Sequence, residues 1–539
     1  MLTALVSPAG GSEQPADRPN FLLVMVDDMG WTDIGCFGGE IDTPNLNALA
    51  ARGVKFTDFH TSVSCSPTRS MLLTGTDNHI AGLGNMGEFL TENQKGERGY
   101  EGYINDRVVT LPEVLREGGY HTYMAGKWHL GHHPEAYPHA RGFERTLALL
   151  YGGASHWDDM SGLVEGQDPA YYTQDGRKLD DLPDDFYSTR SYTDFLIDAI
   201  RENRADGKPF LAYLAFTAPH DPLHVPEPWL SKYRGQYDEG YEVLKARRTA
   251  EAKRLGLVSA DAALPPRHPM VPAWDSLTDE QRAVEARGME IYAGMVTNLD
   301  YHFGRIVSFL KDIGEYDNTI VIFCSDNGAN PWISEEYADN RTSDWFTQFD
   351  NSVAGLGQPG SAYAYGIGWA SACVGPLDRF KMTVGEGGIR TPLLMAGRGI
   401  GEGKQVNSFA YVMDLMPTML EMAGLEHPAS SASGSSGQRV EPMRGRSLIG
   451  VLSGAQEQAY RDQEFICGEM AGGMWVRQGD HKAVSIAPPY GSGDWQLYHV
   501  VQDPGETRNL ASERPNLLAR LRAAWHRYAQ DVGVVIGED

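Results

Sequence analysis

The sequence predicts an α/β fold: a large, mostly parallel or mixed sheet sandwiched by helices, with a smaller α+β domain at the C-terminus. Three observations predict it. Continuous apolar runs stop abruptly at polar residues, as expected of strands buried on both faces. Helical patterns separate those runs, which is the grammar of a parallel sheet. The chain's 539 residues exceed what one simple core holds, and its composition changes near residue 429.

The elements follow in order. Residues 1–18 read as a floppy lead-in. Asn20 to Val26 (NFLLVMV) is an apolar run that stops at Asp27-Asp28. His121 to Ala125 ends at Gly126-Lys127-Trp128-His129, and Phe210 to Phe216 ends at Thr217-Ala218-Pro219-His220. Thr319 to Cys324 ends at Ser325-Asp326-Asn327. Leu111 to Glu117 and Glu290 to Leu310 carry helical patterns. Residues 221–290 are polar and helix-rich and read as an insertion. Residues 335–380, rich in glycine and aromatics, are either a wall of a pocket or a surface cover. The catalytic domain is therefore placed at 19–428, a Ser/Gly-rich linker at 429–440, and a small sheet-plus-helix domain at 441–539, closed by a helix from about Pro515 to Ala529.

Ligands of open α/β sheets bind beyond the carboxyl ends of the strands. Four predicted strand ends here carry Asp, Asp, Lys, His, His, Asp and Asn. The fold would gather them on one edge.

The composition narrows the function. The formal net charge is −26, with 41 % hydrophobic and 22 % charged residues. No basic stripe exists to release counterions from a duplex, so nucleic acid is not an expected partner. An anionic substrate would be repelled at long range, so its site must supply local positive charge. No apolar run is long enough to span a bilayer. The N-terminus has no cationic start and only a short apolar stretch, so a cytoplasmic location is expected, with a periplasmic one as the alternative. Cys36, Cys65, Cys324, Cys373 and Cys467 are scattered, and no disulfide framework is expected. Gly82 to Gly87 matches G-x-G-x-x-G by letter but follows no strand, so dinucleotide binding is rejected.

Residues 65 to 75 read CSPTRSMLLTG. Pro67 suits the first turn of a helix, which puts Cys65 at its N-terminus, where the macrodipole favours negative charge. Taken alone, Cys65 is a buried structural thiol or a thiolate nucleophile of lowered pKa. Asp27, Asp28, Asp326 and Asn327 offer only oxygen donors, which suits a hard divalent cation, Ca²⁺ before Mg²⁺. Three carboxylates against such an ion leave about one negative charge. Arg69, Lys127 and Lys381, with His220 if protonated, more than reverse it.

The CSPTRS-x-LLTG run closely resembles the first signature of the sulfatase family, in which C-x-P-x-R directs oxidation of the cysteine to formylglycine. Gly119 to Gly131 (GYHTYMAGKWHLG) resembles the second signature. The strand ends at Asp27-Asp28 and Ser325 to Gly328 match in family order, as does Lys381 ahead of Gly385 to Pro392 (GEGGIRTP). The resemblance covers most of residues 20 to 425. It continues more weakly at Trp495 to Tyr498 and Asp503 to Glu506, and is closest in organisation to bacterial arylsulfatases.

That resemblance implies an alkaline-phosphatase-like fold and hydrolysis of small sulfate esters, aryl sulfates among them. It implies a divalent cation held by Asp27, Asp28, residue 65, Asp326 and Asn327, and a separate maturation enzyme that makes formylglycine from Cys65. The hydrated aldehyde attacks sulfur, with Asp326 as its base and Arg69 orienting it. Lys127, Lys381 and His220 hold the sulfate oxygens, and Lys381 or His220 protonates the leaving alcohol. His129 takes the proton that releases sulfate. Asp221 departs from the aromatic residue common at this position in similar arylsulfatases, and is expected either to raise the proton affinity of His220 or to line the pocket. The alternatives are a phosphonate monoester or phosphodiester hydrolase of the same superfamily, a non-catalytic metal-binding relative, and an ordinary cysteine hydrolase.

Overall fold

The computed structural model describes residues 18–334, 344–430 and 440–538. The expected lead-in, except its last residue, and most of the expected linker lie outside the described residues.

The main sheet is built from β1 (Asn20–Val26), β2 (Val54–His60), β3 (His121–Lys127), β4 (Arg145–Leu149), β5 (Tyr172–Gln174), β6 (Arg177–Lys178), β7 (Phe210–Ala215), β8 (Thr319–Ser325), β9 (Arg390–Ala396), β10 (Lys404–Val406) and β11 (Ala410–Tyr411). Its order is β10-β2-β9-β8-β1-β7-β3-β4-β5-β6, with β11 also on β2. The four strands read from the sequence are consecutive, β8-β1-β7-β3, and all parallel. The sheet is mixed because β9 runs antiparallel between β2 and β8, and β5 and β6 turn back beyond β4.

β1 alternates between two cores. Leu22, Val24 and Val26 pack with the helices Ser188–Asn203 and Asp279–Asp312. Phe21, Leu23 and Met25 pack with Cys65–Thr74, Leu111–Glu117 and Leu415–Met422. Both faces are therefore dry, which is why the run reads as continuously apolar. The long helix at 279–312 starts from a reciprocal capping box between Thr278 and Gln281.

Register places the site. β1 and β8 pair from Asn20↔Thr319 to Val26↔Ser325, so Asp27-Asp28 and Asp326-Asn327 leave the sheet side by side. β3 pairs with β7 up to Gly126↔Ala215. Gly126 has φ 121°, and a Cβ there would lie 1.7 Å from the Ala215 carbonyl oxygen, so only glycine lets Lys127 follow at this edge.

A second, antiparallel sheet comprises β12 (Ile466–Met470), β13 (Gly473–Gln478), β14 (His481–Ser485) and β15 (Trp495–His499). Its Val476, Ala483 and Leu497 face the helix Pro515–Val532. Its Trp475, Val484 and Tyr498 join the core of the main sheet. The small C-terminal unit thus shares a core with the large one.

Buried charges lock this junction. The Lys482 ammonium donates to Glu386 at 2.8 Å and to Glu506 at 3.2 Å, and Arg477 donates to Asp58 at 2.7 Å. Asp58, His60 and Glu386 cluster as metal ligands do, but Arg390, Arg477 and Lys482 already neutralise them. Burial alone would raise the Glu386 carboxyl; Lys482, His60 and Arg390 hold it well below its usual 4.5. Its stabilisation is therefore complete above pH 4.5 and lost as pH falls below. Lys482→Ala leaves buried carboxylates short of a partner and is expected to cost about 3–5 kcal/mol in denaturant unfolding. A loss of under about 1 kcal/mol would mean the junction stands on its apolar contacts.

Candidate active site

Cys65 opens the helix Cys65–Thr74, with extended Ser64 at its N-cap and left-handed Gly75 closing it. The Thr68 hydroxyl accepts from the Ser62 amide at 2.9 Å and ties the entering chain to the first turn. All ten residues of the helix are buried, so the tip cannot drift. The Cys65 thiol donates to Asp27 Oδ1 at 3.6 Å. Burial pushes that thiol up to about 12, against the pull of Lys127 and Lys381. Burial thus works against the thiolate that a cysteine hydrolase needs at Cys65.

The carboxylates are each fixed by a buried cation. Lys127 Nζ donates to Asp27 Oδ2 at 2.7 Å, and Lys381 Nζ to Asp28 Oδ2 at 2.8 Å. Arg69 clamps Asp326 Oδ2 through Nε at 3.0 Å and Nη2 at 2.7 Å. Asp326 Oδ1 accepts from the Asp28 amide at 3.2 Å, and Asn327 Nδ2 donates to Asp28 Oδ1 at 2.6 Å. Asp28 sits at φ 65°, a strained setting for a residue other than glycine. Burial tends to raise Asp28, but Lys381, His220 and Lys127 bring it down to about 2. Burial, reinforced by Asp27, lifts Asp326 to about 6.

These residues fit a hard divalent cation. Ligand atoms of Asp27, Asp28, Cys65 and His220 lie within 4.8 Å of one another. Asn327 Oδ1 is a buried carbonyl oxygen with no hydrogen-bond partner among the described residues. An unsatisfied buried acceptor costs about 1–3 kcal/mol, and a cation would satisfy it.

Burial opposes the charge on both lysines, but Asp27 and Asp28 outweigh it and keep Lys127 and Lys381 protonated. His220 places Nε2 3.4 Å from Asp28 Oδ2. Its Nδ1 lies 2.6 Å from the Asp221 carbonyl oxygen. Cys65, His129, His220 and Lys381 line a cleft of about 160 Å³ whose other wall is apolar, built by Met86, Phe89, Leu163, Val164 and Trp332. Phe89 and Trp332 meet edge to face, with ring centroids 5.8 Å apart.

Every residue expected from the sequence comes to this one edge, and the structure refines four of the readings. Arg69 spends its guanidinium on Asp326 and on the Lys127 carbonyl at 2.9 Å, so it positions those groups rather than facing residue 65 freely. His220 joins the cluster around Asp27 and Asp28 as well as the cleft. Asp221 raises the proton affinity of His220, as expected, but burial outweighs it and Asp28 and drives the ring down to about 4; the Asp221 carboxylate accepts from Asn330 at 2.7 Å and does not line the cleft. Described residues of the 335–380 region do not line the cleft; Met86, Glu88, Phe89, Leu163, Val164, Gln167 and Trp332 do.

Sequence reading missed Glu88, whose Oε1 lies 3.1 Å from His129 Nε2. The only local signal was the glycine-rich turn at 82–87 just after the Cys65 helix, which delivers Met86, Glu88 and Phe89 to the cleft.

Comparison with known proteins shows the family and the fold. The Sulfatase family model matches residues 19–425. An uncharacterized sulfatase of Schizosaccharomyces pombe is 41 % identical over 98 % of this chain and 97 % of its own. The arylsulfatase of Klebsiella aerogenes is 40 % identical over 83 % of this chain and 95 % of its own. Among solved structures, a sulfatase from Pseudoalteromonas sp. superposes with a TM-score of 0.61 at 18 % identity, covering 95 % of this chain and 90 % of the other, a likeness of fold.

Proposed function

The chain belongs to the sulfatase family, and from that premise we propose that the edge around Cys65 hydrolyses aryl sulfates, with the residue roles given below. The protein is a sulfuric ester hydrolase acting on small-molecule sulfate esters. The observation that carries the assignment of roles is the approach of Cys65 Sγ to Asp27 at 3.6 Å, flanked by the buried ammonium groups of Lys127 and Lys381.

A sulfate ester is a poor electrophile shielded by anionic oxygens, so its hydrolysis needs concentrated positive charge and a strong oxygen nucleophile. Lys127 and Lys381 hold the sulfate oxygens and bring the charge that the acidic surface lacks, and His220 lines the cleft beside them. The formylglycine made from Cys65, general to this family, supplies an oxygen nucleophile that the thiol cannot. Asp27, Asp28, residue 65, Asp326 and Asn327 would hold a divalent cation, which would supply Lewis-acid activation of a hydroxyl and offset negative charge.

Asp326 takes the proton from the attacking oxygen, and Arg69 keeps its carboxylate in place. Lys381, held protonated by Asp28 and Asp27, delivers a proton to the departing alcohol; of the two candidates, His220 is the neutral one and its Nδ1–H is spent on the Asp221 carbonyl. His129 Nδ1 takes the proton from the residue-65 oxygen when sulfate is released. The apolar wall of Phe89, Leu163 and Trp332 excludes water from the leaving group and favours a flat aromatic one. The donors are carboxylate and carboxamide oxygens supplied by the chain itself, which favours Ca²⁺ over the more reluctantly dehydrated Mg²⁺. Conversion of Cys65 requires a separate maturation enzyme.

Paired 4-nitrophenyl substrates test the reading. The matured enzyme is expected to turn over the sulfate with a higher kcat/KM than the phenylphosphonate monoester, and to lose activity on prolonged chelation. A higher value for the phosphonate would transfer the assignment to a phosphonate monoester hydrolase.

A further inference from the structure

We propose that Glu88 is a positioning residue that fixes the tautomer of His129, so that Nδ1 is the ring atom left to accept a proton. The inference rests on the role given to His129 above and goes beyond it by naming the partner that sets the ring.

Four observations converge. Glu88 Oε1 lies 3.1 Å from His129 Nε2. An ionised carboxylate only accepts hydrogen bonds, so Nε2 carries the ring proton and the lone pair is on Nδ1. That Nδ1 is buried and has no hydrogen-bond partner among the described residues, so none of them competes for its lone pair. His129 holds φ 55°, a left-handed setting that the surrounding structure must impose. Finally, a Cβ on Gly152 would lie 2.9 Å from Cε1 and 3.1 Å from Nε2 of this ring, so the glycine clears the space in which the ring meets Glu88.

The local electrostatics agree. Burial, with Lys127 and Arg69 nearby, lowers the proton affinity of His129 against the pull of Glu88, leaving a neutral ring with one free lone pair. Glu88 stands at the cleft wall with 43 % of its side chain exposed. The competing role for it is therefore recognition of the leaving group, which would act on KM.

The test uses the matured, full-length enzyme labelled with ¹⁵N-histidine. The His129 ring signals are assigned by their absence in His129→Gln, and their coupling pattern reports the tautomer. In the wild type the Nε2–H form is expected. Glu88→Ala is expected to lose the fixed tautomer and to lower kcat on the order of 10- to 100-fold with KM nearly unchanged. Glu88→Gln keeps an oxygen that accepts the same N–H, and is expected to restore both the tautomer and most of kcat. An unchanged tautomer and kcat in Glu88→Ala, or an effect confined to KM, overturns the proposal. Full kcat in His129→Ala would instead sink the base assignment on which it rests.

Discussion

Cys65→Ala is expected to lower turnover of 4-nitrophenyl sulfate by at least about 10⁴-fold while the protein stays folded. The size follows from removing a covalent nucleophile, whose loss leaves only binding and electrostatic stabilisation. Survival of the fold follows from what the side chain does structurally. Its side-chain hydrogen bond among the described residues is a long thiol contact of 3.6 Å, and the helix behind it is held by nine further buried residues. The stability cost is expected near the centre of the range for point substitutions, about 1 kcal/mol. Cys65→Ser is expected to be nearly as inactive, because a single hydroxyl that has attacked sulfur leaves no second one to expel sulfate. Normal turnover by a folded Cys65→Ala enzyme would remove residue 65 from the chemistry.

Lys127→Ala combines two large effects. The ammonium is fully buried and pairs with Asp27 at 2.7 Å. Without it, the side-chain contacts left to Asp27 among the described residues are the thiol at 3.6 Å and Arg69 Nη2 at 3.9 Å, beside any cation it holds. Removing one partner of a buried ion pair costs about 3–5 kcal/mol. Removing a cation aimed at developing negative charge costs about 10²–10³-fold in kcat. Lys127→Met, which keeps the volume, separates them: it recovers packing but neither the charge on Asp27 nor the rate. Thermal unfolding and steady-state kinetics of the two variants check this together. A Met variant with near-normal kcat would show that Lys127 holds the strand end and not the sulfate.

Much of the site was legible because its residues terminate apolar runs. Asp27-Asp28, Lys127, His220 and Asp326-Asn327 each follow a strand buried on both faces, and such strands announce themselves in composition. The adjacency of β8, β1, β7 and β3 then needed only the rule that parallel strands share a carboxyl edge. The insertion of β9 between β2 and β8 was not legible. Arg390 to Ala396 reads as one more apolar run, and its antiparallel direction is set by long-range packing. Glu88 was hidden for a different reason: it sits on a loop without period, and its partner His129 lies 41 residues on. The fate of Arg69 could not be read either. Its spacing from Cys65 puts both on one helix face, but only the fold shows that Asp326 claims its guanidinium.

The central claim is that residue 65 is an aldehyde-bearing nucleophile facing a cation-binding cluster. The most direct measurement is a mass spectrum of the peptide that contains Cys65, taken from protein made in a host with the maturation enzyme. Here that peptide should carry one oxygen in place of one sulfur and two hydrogens, and should react with a hydrazide reagent. A fully active preparation in which the peptide retains an intact, alkylatable thiol would contradict the account.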